Sequence, residues 1–166
     1  VCGSDSVEPA LKAFKMIEEI TLGLDQHGLG FGFPVPGMMT KHYNSGGLSQ
    51  AFKKDHQQYR QTRKLMEVAH RLSRPAGHAY TKYFVDRIWF AERYLDAAEA
   101  FGATSVAEKS DDKVTAREQI GLAYHAIRDA LETYAGVAKD HGDLGSIALM
   151  NEYCYRPIRD KRNEMQ

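Results

Sequence analysis

The chain has 166 residues, of which 43% are hydrophobic, and its 22 Lys and Arg residues balance its 22 Asp and Glu residues. This length and apolar content suffice for one folded domain with its own core, which argues against an intrinsically disordered chain. No segment approaches the roughly 20 apolar residues of a membrane helix, and the balanced charge disfavours a nucleic-acid partner. We therefore expect residues 1–166 to form a single soluble domain that is not inserted in a membrane.

The two ends of the chain carry the remaining general clues. The first residue is Val1 rather than methionine, so we expect a processed or excised part of a larger protein. Cys2 and Cys154 lie near opposite ends, and neither belongs to a motif with metal-ligand spacing. The pair is compatible with two free thiols or with one disulfide, and both alternatives stay open.

Apolar residues that recur at three- and four-residue steps predict four long helices. They cover about residues 6–25, 48–73, 78–101 and 111–139. A shorter fifth helix should begin near Leu144 and end before Pro157, and the charged residues 156–166 should be exposed or frayed. No alternation typical of strands occurs. The sequence thus predicts an all-α fold, an antiparallel bundle of four long helices and a short fifth.

Local signals refine the helix ends. Asp5 and Glu8 have the spacing of a capping box, and Ser110 is a candidate N-cap for the fourth helix. Gly102 should end the third helix, which is apolar on two faces and should be the buried centre of the bundle. Gly142 should follow the end of the fourth helix, with His141 against its dipole.

One long loop rich in glycine, proline and aromatic residues interrupts the helices. Residues 23–47 contain seven of the chain's fourteen glycines and two of its five prolines, so no regular helix is expected there. Long loops in compact domains are usually functional or disordered, and the apolar residues of this one argue against disorder. We expect it either to pack over the chain's own helices or to contact a ligand or partner. The candidate contact residues are His27, Phe31, Phe33, Met38, His42 and Tyr43.

The zero net charge conceals two segments of opposite charge. Residues 53–74 carry seven bases and two acids, whereas residues 86–112 carry seven acids and three bases. If the second and third helices pair antiparallel across the short turn at Pro75, their opposite charges lie side by side. The alternative, in which the basic helix binds nucleic acid, lacks a recognised binding motif.

A pair of metal-ligand type lies on the second helix. Glu67 and His70 are three residues apart, the spacing that carboxylate-bridged metal sites use in helical bundles. Such a site needs further ligands, for which the fourth helix offers Glu118 and His125. An independent metal-binding protein or enzyme of the helical-bundle type is therefore the alternative function. The competing interpretation is an ordinary surface pair.

Two stretches carry a family resemblance. The segment from Asp143 to Ile158, together with the glycine-aromatic loop from His27 to Tyr43, resembles the helical regions that follow the catalytic barrel in large bacterial glycoside hydrolases. The resemblance implies a helical accessory domain packed against a sugar-cleaving barrel, with the acidic catalytic pair outside this chain. The expected function is therefore that of a non-catalytic accessory or interaction domain of a larger, carbohydrate-active protein. Its expected partners are a neighbouring domain or protein and carbohydrate.

Overall fold

A computed structural model of the chain describes residues 2–26 and 36–166. Within these ranges every regular element is helical and no strand occurs, which confirms the predicted all-α fold. The four long helices are present and are accompanied in the same ranges by three shorter ones. The helices are α1 Val7–Gln26, α2 Met38–Ser45, α3 Gln50–Leu72, α4 Pro75–Lys109, α5 Lys113–Val137, α6 His141–Met150 and α7 Arg156–Glu164.

The described residues divide into two compact units. Residues 2–26 and 51–92 belong to the first unit, and residues 36–50 and 93–166 belong to the second. Helix α4 contributes to both. The prediction that the whole chain forms one domain stays a prediction, and each unit is described by itself below.

In the first unit, helices α3 and α4 run antiparallel. Arg63 contacts Glu92 across the pair with a distance of 2.7 Å, and His70 contacts Thr81 close to the turn with a distance of 2.9 Å. The chain reverses at Ser73 and Arg74, and Pro75 opens α4, where its missing N–H costs no helical hydrogen bond. Opposite charges therefore meet between these two helices, as the segregation of charge predicts.

In the second unit, helix α5 buries one side at alternating steps of four and three residues, as the sequence predicts for a helix seam. Ile120, Ile127 and Tyr134 of the predicted seam are buried, while alanines such as Ala123 and Ala130 supply the rest of it. The Leu95 and Phe101 side chains of α4 are also buried in this unit, at 4% and 4% exposure. The apolar third helix of the sequence prediction thus supplies core residues here.

The prediction that Gly102 ends a helix is wrong, because α4 continues to Lys109. A Cβ atom at Gly102 would overlap the backbone of Gly46 and Gly47, so glycine is required here for the close approach of two segments. The Gly46–Gly47 segment itself has φ values of 80° and 118°.

The prediction that residues 23–47 contain no regular helix is also wrong. Helix α1 extends to Gln26, and α2 occupies Met38–Ser45. The glycines that looked like breakers instead bound α2: Gly37 and Gly46 flank it in left-handed conformations, with φ values of 83° and 80°. Glycine adopts these conformations without strain, which is why helix ends favour it.

The prediction that the C-terminal residues are frayed is wrong as well. Helix α6 passes through a π-helical turn, Asn151–Tyr155, directly into α7, whose second residue is Pro157. A wider turn lets the chain continue here, because proline donates no backbone hydrogen bond and crowds the carbonyl four residues earlier. Helix α7 is packed: Ile158 is fully buried, and the Arg117 side chain donates to the backbone carbonyl of Met165 at 3.0 Å.

The predicted caps are displaced by a few residues. Asp112, not Ser110, caps α5 by accepting from the Thr115 N–H at 3.0 Å. The segment predicted to follow a helix end at Gly142 instead begins α6, where Asp140 accepts from the Asp143 N–H. Aspartate is among the preferred N-cap residues, because its carboxylate accepts from the free backbone N–H groups in the first turn of a helix.

The N-terminal capping box is replaced by a different arrangement. A 3-10 turn, Ser4–Ser6, precedes α1, and the buried Ser6 hydroxyl donates to the carbonyls of Cys2 and Gly3 at 3.0 Å each. The Cys2 carbonyl also accepts from the Arg74 N–H at 2.9 Å. The start of the chain is thereby held against the turn between α3 and α4.

Candidate functional site

The predicted contact residues fall into two groups. His27, Phe31 and Phe33 lie outside the described residues. Met38, His42 and Tyr43 lie on the short helix α2 in the second unit, where their surroundings are defined.

Tyr43 is joined to a carboxylate and an ammonium group. Its hydroxyl donates to Glu108, and the Lys161 Nζ lies 2.8 Å from the other carboxylate oxygen and 5.5 Å from the Tyr43 ring centre. Burial raises the pKa of Glu108, but the hydrogen bonds from Lys161 and Tyr43 outweigh it, and the net pKa is lowered. The Tyr43 ring also packs on Phe101, with 4.8 Å between centres. This cluster ties α2, α4 and α7 together.

His42 is almost completely buried, with 7% of the residue exposed. Burial lowers the pKa of its imidazole, opposed by a hydrogen bond with the Gly47 backbone and by the charge of Glu99. The same Glu99 carboxylate accepts from the Leu48 N–H at 2.7 Å. The His42 imidazole and the Glu99 carboxylate thus both bind the backbone segment that follows α2, His42 at Gly47 and Glu99 at Leu48.

Met38 contacts a buried phenol. The Tyr94 hydroxyl donates to the Met38 Sδ at 2.8 Å, and Tyr94 also interacts with the Cys154 thiol. Burial raises the pKa of the Tyr94 phenol, and it raises the pKa of Cys154 to about 11. Met38, His42 and Tyr43 therefore contact the chain's own residues, and a contact of these residues with a ligand or partner stays a prediction.

The predicted metal residues of the first unit have other partners. Glu67 accepts from Arg63 at 2.6 Å, as the surface-pair interpretation requires. His70 contacts Thr81 through Nδ1 at 2.9 Å, and its ring lies 5.1 Å from the ring of His78. The Glu67 carboxylate thus forms an ion pair with an arginine. The ring of His70 lies beside a second imidazole, that of His78.

The predicted metal residues of the second unit are exposed on α5. Glu118 and His125 face outward, and the His125 ring packs against Tyr124 with 5.7 Å between centres. Among residues 2–26 and 36–166, no group of three or more His, Cys, Asp or Glu side chains is placed to hold a metal ion. The four-residue metal set stays a prediction.

Sequence reasoning predicted opposite charges along α3 and α4, but it did not identify the buried network that they form in the first unit. Glu92 is 5% exposed and accepts from Arg63 at 2.7 Å, with Arg60 at 3.5 Å. The Arg63 guanidinium also lies 4.7 Å from the centre of the Trp89 ring, close enough for a cation-π interaction. The segregation of charge was the sequence signal for this contact, but it did not show that Glu92 would be buried.

A second missed cluster is aromatic and basic. The Tyr124 and Tyr155 hydroxyls lie 3.0 Å apart, and the Arg162 guanidinium lies 4.2 Å from the centre of the Tyr124 ring. Arg162 falls in the tail that was expected to be frayed, so its contact with α5 could not be anticipated.

The outer face of α1 carries exposed apolar side chains. Val7, Leu11 and Leu22 are 49%, 54% and 59% exposed, and their spacing places them on one side of the helix. On α4, Tyr80 is 54% exposed. Its ring joins an edge-to-face chain through Phe84 to Phe14 of α1, with centres 5.0 and 4.8 Å apart. We call Val7, Leu11, Leu22 and Tyr80 the α1 surface.

Within the described ranges, none of the helices combines the length and the apolar character that crossing a membrane requires. Comparison of the chain with protein-family models, with curated proteins and with solved structures finds no significant match.

Proposed function

We propose that this chain is a non-catalytic helical interaction domain of a larger, carbohydrate-active protein, and that the α1 surface is where it packs against a neighbouring domain. The observation that carries the proposal is the set of three exposed aliphatic side chains on one face of α1. The carbohydrate-active context rests on the resemblance of two stretches, Asp143 to Ile158 and His27 to Tyr43, to helical regions of large bacterial glycoside hydrolases.

The arrangement of the α1 surface fits a protein partner. Burying a fully exposed leucine or valine side chain contributes about 1.5–3 kcal/mol. The three side chains are about half exposed, so covering each of them contributes about half of that. Lys15 and Glu18 lie on the same exposed face between the apolar residues. An apolar centre with interspersed charge is the usual composition of an interface between domains.

Tyr80 adds an exposed aromatic side chain on α4, which is connected to α1 through the rings of Phe84 and Phe14. The Tyr80 ring packs edge-to-face on Phe84, which restricts its motion. Binding a partner therefore costs little additional side-chain entropy at this residue. A braced, half-exposed tyrosine also suits stacking on a sugar ring, which relates this face to the proposed carbohydrate-active context.

The native polypeptide provides the first test. An antibody raised against this chain should detect a polypeptide clearly larger than 18.7 kDa in cells that express the gene. That polypeptide should hydrolyse polysaccharides, whereas the 166-residue chain alone should not. A native polypeptide of the same mass as this chain would overturn the proposal.

A matched pair of variants tests the surface itself. Leu11→Ser with Leu22→Ser should lower the melting temperature of the native polypeptide and leave that of the isolated chain almost unchanged. The control pair, Val114→Ser with Leu122→Ser, changes aliphatic residues on α5 that are 69% and 57% exposed, and it should affect neither melting temperature. Equal effects of both pairs on the native polypeptide would exclude the α1 surface as the interface.

A further inference from the structure

We propose that His70 and His78, on either side of the turn between α3 and α4, form a binding site for a divalent transition-metal ion of the zinc type. The site is independent of the proposed interaction function. It uses one residue of the predicted metal set, His70, with a partner that the sequence did not indicate.

The hydrogen bond of His78 fixes which of its nitrogens is free. Its Nε2 lies 2.9 Å from the backbone carbonyl of Ser73. A carbonyl only accepts, so Nε2 carries the proton and donates, and in the neutral ring the lone pair is on Nδ1. His78 is exposed, so an ion has access to that nitrogen.

The hydrogen bonds of His70 fix the opposite tautomer. Its Nδ1 lies 2.9 Å from the Thr81 hydroxyl, which itself donates to the backbone carbonyls of Gly77 and His78 at 3.1 and 3.2 Å. The threonine has one proton, and these carbonyls can take it, so its oxygen is available to accept from Nδ1–H of His70 in the tautomer that we propose. The free lone pair of His70 is therefore on Nε2.

The separation of the rings suits one shared ion. Zinc binds imidazole nitrogen at about 2.0–2.1 Å, which puts the ion about 3.2 Å from each ring centre. Two such arms at a near-tetrahedral angle place the ring centres about 5.2 Å apart. The observed separation of the His70 and His78 centres is 5.1 Å.

The surroundings hold both rings in place. Thr81 and Ser73 are 2% and 7% exposed, and the Ser73 hydroxyl donates to the His70 carbonyl at 2.8 Å. Metal-ligating histidines characteristically donate their second ring nitrogen to a fixed acceptor in this way, which orients the ring. With no third His, Cys, Asp or Glu ligand gathered in the described residues, water completes the coordination.

Calorimetric titration of the untagged chain with zinc chloride at neutral pH tests the site. We expect one ion per chain, with His70→Asn and His78→Asn each weakening binding by at least about tenfold. His141→Asn removes an exposed histidine from α6 and is the matched control, which should bind as the wild type does. Undiminished binding by His78→Asn would overturn the proposal, and His78 is exposed enough for that variant to fold.

Two further measurements distinguish zinc bound by the two imidazoles from zinc bound elsewhere on the chain. Thr81→Val removes the acceptor that orients His70 and should weaken binding by about tenfold, with helicity checked by circular dichroism. Nitrogen NMR of the imidazoles should show zinc shifting Nε2 of His70 and Nδ1 of His78. Cys2 lies beside Gly77, so Cys2→Ser must be compared, and loss of binding in that variant alone would assign the ion to the thiol instead.

Discussion

Gly102, in the C-terminal third of α4, lies directly against the backbone of Gly47, which follows α2. A Cβ atom at position 102 would overlap that backbone rather than a side chain that could rotate away. In the same unit, the Leu48 N–H donates to the Glu99 carboxylate at 2.7 Å. His42 of α2 is buried there as well. The close approach of the two backbones at Gly102 thus helps to position α2, the helix that carries the candidate contact residues Met38, His42 and Tyr43.

Gly102→Ala should destabilise the chain by at least about 2 kcal/mol, because an added methyl group forces two backbone segments apart. Urea unfolding followed by circular dichroism measures this. Gly121→Ala is the control: no atom lies within 4 Å of a Cβ at this position of α5. Alanine should raise helix stability there by about 0.5–1 kcal/mol. A Gly102→Ala chain as stable as the wild type would contradict the close approach.

The fold could be predicted where apolar periodicity is regular. Helix α5 buries residues at three- and four-residue steps, and the sequence shows that pattern without reference to the rest of the chain. Helix α3 has the same spacing, but its buried face includes the polar residues Asp55 and Thr62, which apolar periodicity does not mark. Glycine and proline were less informative, because their roles depend on what lies next to them. Gly102 permits a contact rather than ending α4, and a π-helical turn accommodates Pro157.

The site residues illustrate the same limit. His70 attracted attention through its spacing from Glu67, but its neighbour in space is His78, across a turn that reverses the chain. Spacing along one helix shows which side chains share a face, and it gives no distance to another helix. The segregation of charge likewise predicted contacts between α3 and α4, but it did not identify Glu92 as the buried side chain that pairs with Arg63.

Arg63→Met should cost about 2–4 kcal/mol, since it leaves the buried Glu92 carboxylate with Arg60 alone. The single tryptophan, Trp89, lies under the Arg63 guanidinium, so its emission reports unfolding of the first unit. Lys12→Met breaks the exposed pair with Glu8 and is the control, for which little change is expected. Equal stability of the two variants would show that the Glu92 contact is not stabilising.

Acid should destabilise the chain partly through His42. Because burial lowers its pKa in the native state below the ordinary value of 6.5, the unfolded chain takes up a proton first as the pH falls. Stability present above about pH 6.5 is therefore lost between that pH and the lower native pKa, with a slope of at most about 1.4 kcal/mol per pH unit for one group. His42→Gln should show a smaller loss of unfolding free energy over this range, measured by urea titrations at several pH values. An unchanged slope in the variant would exclude this contribution.

The two thiols should differ sharply in reactivity. Both are free, Cys2 is half-buried, and Cys154 is fully buried with its pKa raised to about 11. Because the thiolate is the reactive form and must also be reached, Ellman's reagent at mildly alkaline pH should modify Cys2 in the native chain and Cys154 only after unfolding. Cys2→Ser should abolish the fast reaction, whereas Cys154→Ala should preserve it. Rapid modification of the native Cys2→Ser chain would mean that Cys154 is accessible, and the contact of its thiol with Tyr94 would then have to be transient.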